Sequence, residues 1–218
     1  PHDTAPLPVA TGDTVVIGGG VAGSCVAYWL AREGIDTLVV ERDEVNLQAS
    51  GANAGSLHVQ LLAFDFTGSA PGNTQGGPNR AADTLPLGPA SIALWQEIQR
   101  DTGQDLEIKI SGGLMLAETE RAVEILKGKI ALEKSRGVEA ELIGANDLRR
   151  LEPSIGDVAI AAEWCPGEGK INPLKATYAV VARAEALGAR FRRGSNVFAI
   201  ERDGGGYRIK TSRGDIFC

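Results

Sequence analysis

Residues Thr14–Glu41 read TVVIGGGVAGSCVAYWLAREGIDTLVVE, and this stretch decides the fold. The β-branched run Thr14–Ile17 predicts a strand, and the apolar pattern after it predicts a helix through about Glu33, stopped by Gly34. Thr37–Val40 predicts a second strand, with Glu41 at its carboxyl end. Between first strand and helix, Gly18, Gly20 and Gly23 follow the spacing G-x-G-x-x-G. The first glycine permits a tight turn, the second lets the backbone approach a pyrophosphate, and the third lets helix and strand pack closely. The helix start, with Val21 and Ala22, then offers unpaired N–H groups and a positive dipole end to an anion. Glu41 stands where such a site places the acid that accepts hydrogen bonds from a ribose. A glycine pattern alone is compatible with a structural turn, but strand, helix, second strand and acid in register define a dinucleotide site.

The totals narrow the remaining choices. A chain of 218 residues, 43% hydrophobic, suffices for one or two domains with a sizeable core. A formal net charge of −6 and a pI near 5.1 argue against a nucleic-acid partner, which needs clustered Lys and Arg. No stretch is long and apolar enough to span a bilayer, so no transmembrane segment is expected. Residues 1–13, PHDTAPLPVATGD, lack the basic and apolar regions of a secretory signal and are expected to form a mobile leader. Cys25, Cys165 and Cys218 are too scattered for a disulfide framework or a C-x-x-C metal site. These features suggest a reducing compartment, no metal, and a cytoplasmic location with peripheral membrane association left open.

A second informative stretch, ASGANAGSLH, starts at Ala49. Its small residues Ala49, Ser50, Gly51, Asn53, Ala54, Gly55 and Ser56 suit close approach of backbone N–H groups to a large or charged ligand. By composition alone an ordinary flexible loop fits equally.

Together, GGGVAGSCVAYWLAREG, VVERD and ASGANAGSLH resemble the N-terminal half of the FAD-dependent amino-acid and amine oxidoreductases, the D-amino-acid oxidase or glycine oxidase superfamily. The A-S-G-x-N-x-G form is most similar to the branch with D-amino-acid and D-hydroxyproline dehydrogenases, hydrogen cyanide synthase, opine oxidases and sarcosine-oxidase β-type subunits. The resemblance extends over residues 14–218. It implies an α/β fold: a Rossmann-like FAD-binding domain with a glutathione-reductase-like sheet, plus part of a mixed-sheet substrate domain. It also implies FAD as cofactor, with Gly18, Gly20, Val21, Ala22 and Gly23 at the pyrophosphate and Glu41 at the adenosine ribose. Arg42 would lie near adenine, Ala49 and Ser50 near the phosphates, and Asn53, Ala54, Gly55, Ser56 and Leu57 along the path to the isoalloxazine. Val197 matches the position whose backbone meets adenine. His58 is either a neighbour of the flavin ring or a histidine satisfied by adjacent packing.

Along the rest of the chain, the Gly- and Pro-rich run FDFTGSAPGNTQGGPNRAADTLPLG from Phe64 reads as a long aperiodic loop, and its place between the flavin loop and the next helix in the resembled superfamily implies a lid or a subunit contact. Helices are predicted over Pro89–Thr102, Glu118–Gly137, Asp147–Leu151 and Pro173–Leu187. Strands are predicted over Leu106–Ile110, Gly113–Ala117, Val158–Trp164, Ala189–Arg193, Val197–Glu201 and Tyr207–Thr211. Trp95 and Met115 read as core, Cys165 as a free thiol, and Arg190, Arg192 and Arg193 as a solvated strand edge. The resemblance divides the chain into an FAD-binding part at 14–88, a substrate or cap part at 89–170, and an FAD-binding return at 171–218.

The resembled family carries further sheet and substrate-domain segments after the position of Cys218, so a second polypeptide is expected to complete the fold. Cys218 itself is no evidence for self-cleavage. The expected activity is oxidation of the C–N bond of an amino acid or secondary amine, with a small amino-acid or amine substrate. An FAD-dependent 2-hydroxy-acid or glycerol-phosphate dehydrogenase, or a non-catalytic flavin-binding electron-transfer subunit, stays open.

Overall fold

Three short, β-branched or alternating runs make the parallel sheet on which the first part of the molecule is laid. β2 (Thr14–Ile17) pairs with β3 (Thr37–Val40), which pairs with β9 (Arg190–Arg192). All four residues of β3 are buried, as in a strand covered on both faces. Successive side chains point to opposite faces, and Leu38 and Val40 share one core cluster with Ile209 and Ile216. Those partners belong to a second sheet, in which β1 (Ala10–Thr11), β12 (Ile216–Phe217), β11 (Gly206–Thr211) and β10 (Val197–Asp203) lie side by side in that order. Helix α1 (Val21–Arg32) packs beside α5 (Pro173–Ala186). The start of α5 is fixed locally: Asn172 Oδ1 accepts from the N–H groups of Leu174 and Lys175, and Pro173 opens the first turn.

The structure is a computed structural model describing residues 10–62 and 82–218. These form two units, one of residues 10–55, Ile98–Leu106 and Asn172–Cys218, the other of the described part of 56–97 with Glu107–Ile171. The first segment of the first unit ends at Gly55, and the second unit starts at Ser56. Helix α2 (Leu87–Thr102) contributes its last turn to the first unit. There Asp101 accepts from the Tyr28 hydroxyl at 2.8 Å and from the Arg183 guanidinium at 2.9 and 3.1 Å, tying α1, α2 and α5 together.

In the second unit, β5 (Gly113–Ala117), β7 (Ala161–Cys165) and β6 (Glu141–Gly144) form an antiparallel sheet with β7 in the centre. Helix α3 (Glu120–Ser135) packs Val123 and Leu126 against Ala117 and Ala161. Helix α4 (Ala145–Leu151) packs Leu148 against Ile143 and Ala162. The alternation of Ala161 and Ala162 between these two clusters follows from the two-residue period of the strand. A short ladder joins β4 (Ser56–Leu57) to β8 (Gly169–Lys170).

The structure departs from the sequence expectations at several places, among them the two-residue strands β4, β8 and β12, which are not predicted from the sequence. Ala10–Thr11, expected within the leader, form a parallel ladder with Ile216–Phe217; residues 1–9 lie outside the described residues. No strand forms over Leu106–Ile110: Glu107 has φ of 58°, which breaks extended backbone, and only a bridge from Lys109 to Lys170 remains. Strand β6 has no counterpart among the predicted strands. Most of the run from Phe64, read as a lid or subunit contact, lies outside the described residues.

Candidate dinucleotide site

The glycine loop, the acid and the small-residue loop converge at the carboxyl end of β2 and β3 in the first unit. Gly18 leaves β2 with φ of 104°, a conformation that L side chains rarely adopt, while its N–H still donates to Val40 O at 2.8 Å. Gly20 caps α1 with extended backbone and no side-chain cap. A Cβ on Gly23 would overlap the Gly18 carbonyl oxygen, so turn and helix interlock only because residue 23 is glycine. A Cβ on Gly20 would stand 2.8 Å from Ser50 Oγ. The bare backbone at 20 therefore leaves a cradle that a side chain would fill.

Glu41 is buried, 9% exposed, and its carboxylate accepts from Gly19 N–H at 2.6 Å and from Asp43 N–H at 2.9 Å. Its own N–H donates to Arg192 O, and its carbonyl accepts from Ser195 N–H, so the backbone of β9 and its following turn fix it on the other side. Each carboxylate oxygen has a second lone pair available to a ribose hydroxyl.

Ser50 Oγ accepts from Val21 N–H at 3.0 Å, which couples the small-residue loop to the first turn of α1. Asn46 N–H donates to Gly19 O, a second tether between the same segments. Asn53 spends its polar atoms on its own loop: Nδ2 donates to Ala49 O and Ser50 O, and Oδ1 accepts from Gly55 N–H. Ala54 is exposed and Gly55 has φ of 72°. The exposed Arg42 lies beside Asp43 at 3.4 Å. Val197 starts β10 opposite Thr211 and packs against the cluster containing Leu38 and Val40.

Gly18–Gly23, Glu41, Ala49 and Ser50 are thus assembled in one unit. Ser56, Leu57 and His58 belong to the other. There His58 and Leu57 line a cleft of about 560 Å³ with Leu85, Ile92 and Trp95. His58 Nδ1 lies 3.4 Å from Glu168 Oε1. Burial, first, and the Glu168 carboxylate, second, push the Cys165 thiol up to about 12, and burial pushes Cys25 up to about 11. Both are therefore thiols at neutral pH rather than nucleophiles.

Several polar residues important to this architecture carry no obvious mark in the sequence. Glu168, in the turn CPGEGKINP, accepts from the N–H groups of Val59 and Gln60 at 2.7 and 2.9 Å and from Gln60 Nε2 at 2.9 Å. Lys129, Glu133 and Glu163 are fully buried together. Their signal is positional: Lys129 and Glu133 fall on the same helical stripe as Leu126 and Ile130.

A parallel sheet with a glycine turn opening its first helix and an acid after its second strand defines a dinucleotide-binding flavoprotein or dehydrogenase fold. Comparison with known proteins makes the class specific. A model described as FAD dependent oxidoreductase (DAO) matches residues 13–218, and the chain belongs to that family. It is 29% identical over 208 residues to glycine oxidase of Bacillus licheniformis, covering 93% of this chain and 50% of that protein. It is 27% identical over 206 residues to one of the subunits of the opine oxidase of Rhizobium meliloti, covering 91% and 52%. The crystal structure of glycine oxidase from Geobacillus kaustophilus superposes with a TM-score of 0.80 at 24% identity, over 96% of this chain and 54% of that one. The chain spans about half the length of these relatives.

FAD is the cofactor of this family, and the residues present fit it: bare glycine backbone at positions 18, 20 and 23, a helix N-terminus and a buried carboxylate surround one place. Among the described residues, no helix is long and apolar enough to cross a membrane.

Proposed function

We propose that this chain holds the adenosine-diphosphate part of FAD in an enzyme that oxidises the C–N bond of an amino acid or secondary amine. The observation that carries the first part is the Glu41 carboxylate locked against Gly19 N–H beside the glycine loop. Glu41 accepts from the ribose hydroxyls, the first turn of α1 faces the pyrophosphate, and Ser50 holds the first N–H of that turn in place. Arg42 and the Val197 backbone border adenine, and Ala49 and Asn53–Gly55 shape the path toward the flavin ring. When bound, FAD supplies the acceptor for the hydride lost from the carbon next to nitrogen, and the substrate leaves as an imine. Support for the amine class comes from the glycine oxidase and opine oxidase relatives. His58 is assigned no catalytic role.

We further propose that this chain works in an enzyme built from more than one kind of subunit. Support comes from the opine oxidase relative, which is by its name one subunit of its enzyme. Three free cysteines suit a reducing compartment such as the cytoplasm.

Two measurements test this reading. Glu41→Ala removes the acceptor for two backbone N–H groups and the ribose, and charged hydrogen bonds of about 1.5–3 kcal/mol predict about 10- to 100-fold weaker FAD binding by fluorescence titration. Unchanged affinity would remove Glu41 from the site. Anaerobic mixing of the flavin-loaded native assembly with glycine, N-methylated glycines or opines is expected to bleach the flavin, whereas 2-hydroxy acids leave it oxidised. The reverse pattern would overturn the amine assignment.

A further inference from the structure

Residues His58–Leu61 follow β4 without joining a sheet ladder, yet the N–H groups of Val59, Gln60 and Leu61 are buried and paired. Glu168 takes those of Val59 and Gln60, and Glu133 Oε1 takes that of Leu61 at 2.6 Å. Lys129 Nζ donates to the same Glu133 oxygen at 2.7 Å, to Glu163 at 2.6 Å and to Gln60 Oε1 at 3.3 Å. Gln60 Nε2 in turn donates to Glu168, so one amide joins both halves of the network.

The charges in this network do not balance. Lys129, Glu133 and Glu163 are 0% exposed, so two carboxylates share one cation away from water. One oxygen of each, Glu133 Oε2 and Glu163 Oε1, is buried without a protein donor. A second buried negative charge there is costly, and a proton between the carboxyls removes it.

We propose that Lys129, Glu133 and Glu163 form a pH-sensitive clamp, in which one proton shared by the two glutamates holds the His58–Leu61 segment and its loss loosens that segment. The groups facing Glu163 are Lys129 and Glu133 from α3, with Cys165 and Glu168 nearby on β7 and its turn. Its cross-strand neighbours, Met115 and Leu142, are uncharged. Burial, then the Glu133 carboxyl, push Glu163 up to about 8, with Lys129 opposing. A raised folded-state value means that the stabilisation is complete below the ordinary carboxylate range and is lost as pH rises to about 8. The clamp therefore acts across neutral pH.

Amide hydrogen exchange of the full protein reads the clamp at Leu61. After correction for intrinsic exchange, protection is expected to fall about tenfold per pH unit between about pH 5.5 and 7.5 and to level above about 8. Glu163→Gln, which keeps the shape but cannot ionise, is expected to flatten this dependence. A flat profile in the folded wild type, or a Glu163→Gln profile that keeps the slope, overturns the proposal. Difference infrared spectroscopy of the wild type provides a check that needs no variant. A protonated-carboxyl band at about pH 6 that is gone by about pH 9.5 supports the clamp, and its absence at the lower pH overturns it.

Discussion

Gly23→Ala is expected to abolish tight FAD binding and to lower stability by about 3 kcal/mol or more. The new Cβ would overlap the Gly18 carbonyl oxygen and crowd Val16 Cγ1 at 3.2 Å, and neither neighbour is the free end of a flexible side chain. Relief requires α1 to move away from the turn, which displaces the N–H groups that face the pyrophosphate and strains the Gly19–Glu41 hydrogen bond. The same substitution at Gly128 should have the opposite sign. Gly128 lies inside α3, a Cβ there meets nothing within 4 Å, and alanine in a helix interior is favoured over glycine by about 1 kcal/mol. Thermal unfolding and flavin titration of the two variants separate these cases. A Gly23→Ala protein with native stability and full flavin affinity would show that helix and turn are not interlocked as described.

Lys129→Met is expected to be the most damaging substitution in the second unit. It strips the cation from between Glu133 and Glu163 and leaves two facing carboxyls at 0% exposure. Removing one partner of a buried ion pair costs about 3–5 kcal/mol, a fall in melting temperature on the order of 10 °C for a chain of this size. The loss should be smaller in mild acid, where Glu163 carries a proton, and larger at alkaline pH. Lys127→Ala provides the contrast: its partner Glu124 is exposed, and little change is expected. Thermal melts of both variants at two pH values test the difference. Equal melting temperatures for the two variants would mean that Lys129 carries no buried charge.

The parts of this architecture legible in the sequence are those written in short-range pattern. Glycine spacing, a β-branched run on each side and an acid after the second run locate β2, α1, β3 and Glu41 because each signal is local and each has one physical cause. Asn172-Pro173 likewise announces the start of α5. What was not legible depends on partners distant in the chain. Ala10–Thr11 become a strand only because Ile216–Phe217 lie beside them. Lys129 and Glu133 have the spacing of an exposed helical pair, and only the neighbours Glu163 and Leu61 make them buried and structural. Glu168 sits among turn residues, where a carboxylate ordinarily faces water, yet it organises the backbone after β4. Asn53, expected along the path to the isoalloxazine, uses both ends of its amide to shape its own loop, a local role that its neighbours Ser50 and Gly55 define.

Whether the glycine loop and Glu41 form an FAD site is read from the absorption spectrum of the native assembly, followed by titration of its flavin-stripped form with FAD. The native assembly is expected to show the two-banded spectrum of an oxidised flavin and to saturate at one FAD per chain, with binding weakened by Glu41→Ala. A colourless assembly that takes up no FAD, or one whose affinity is indifferent to Glu41, would contradict this assignment.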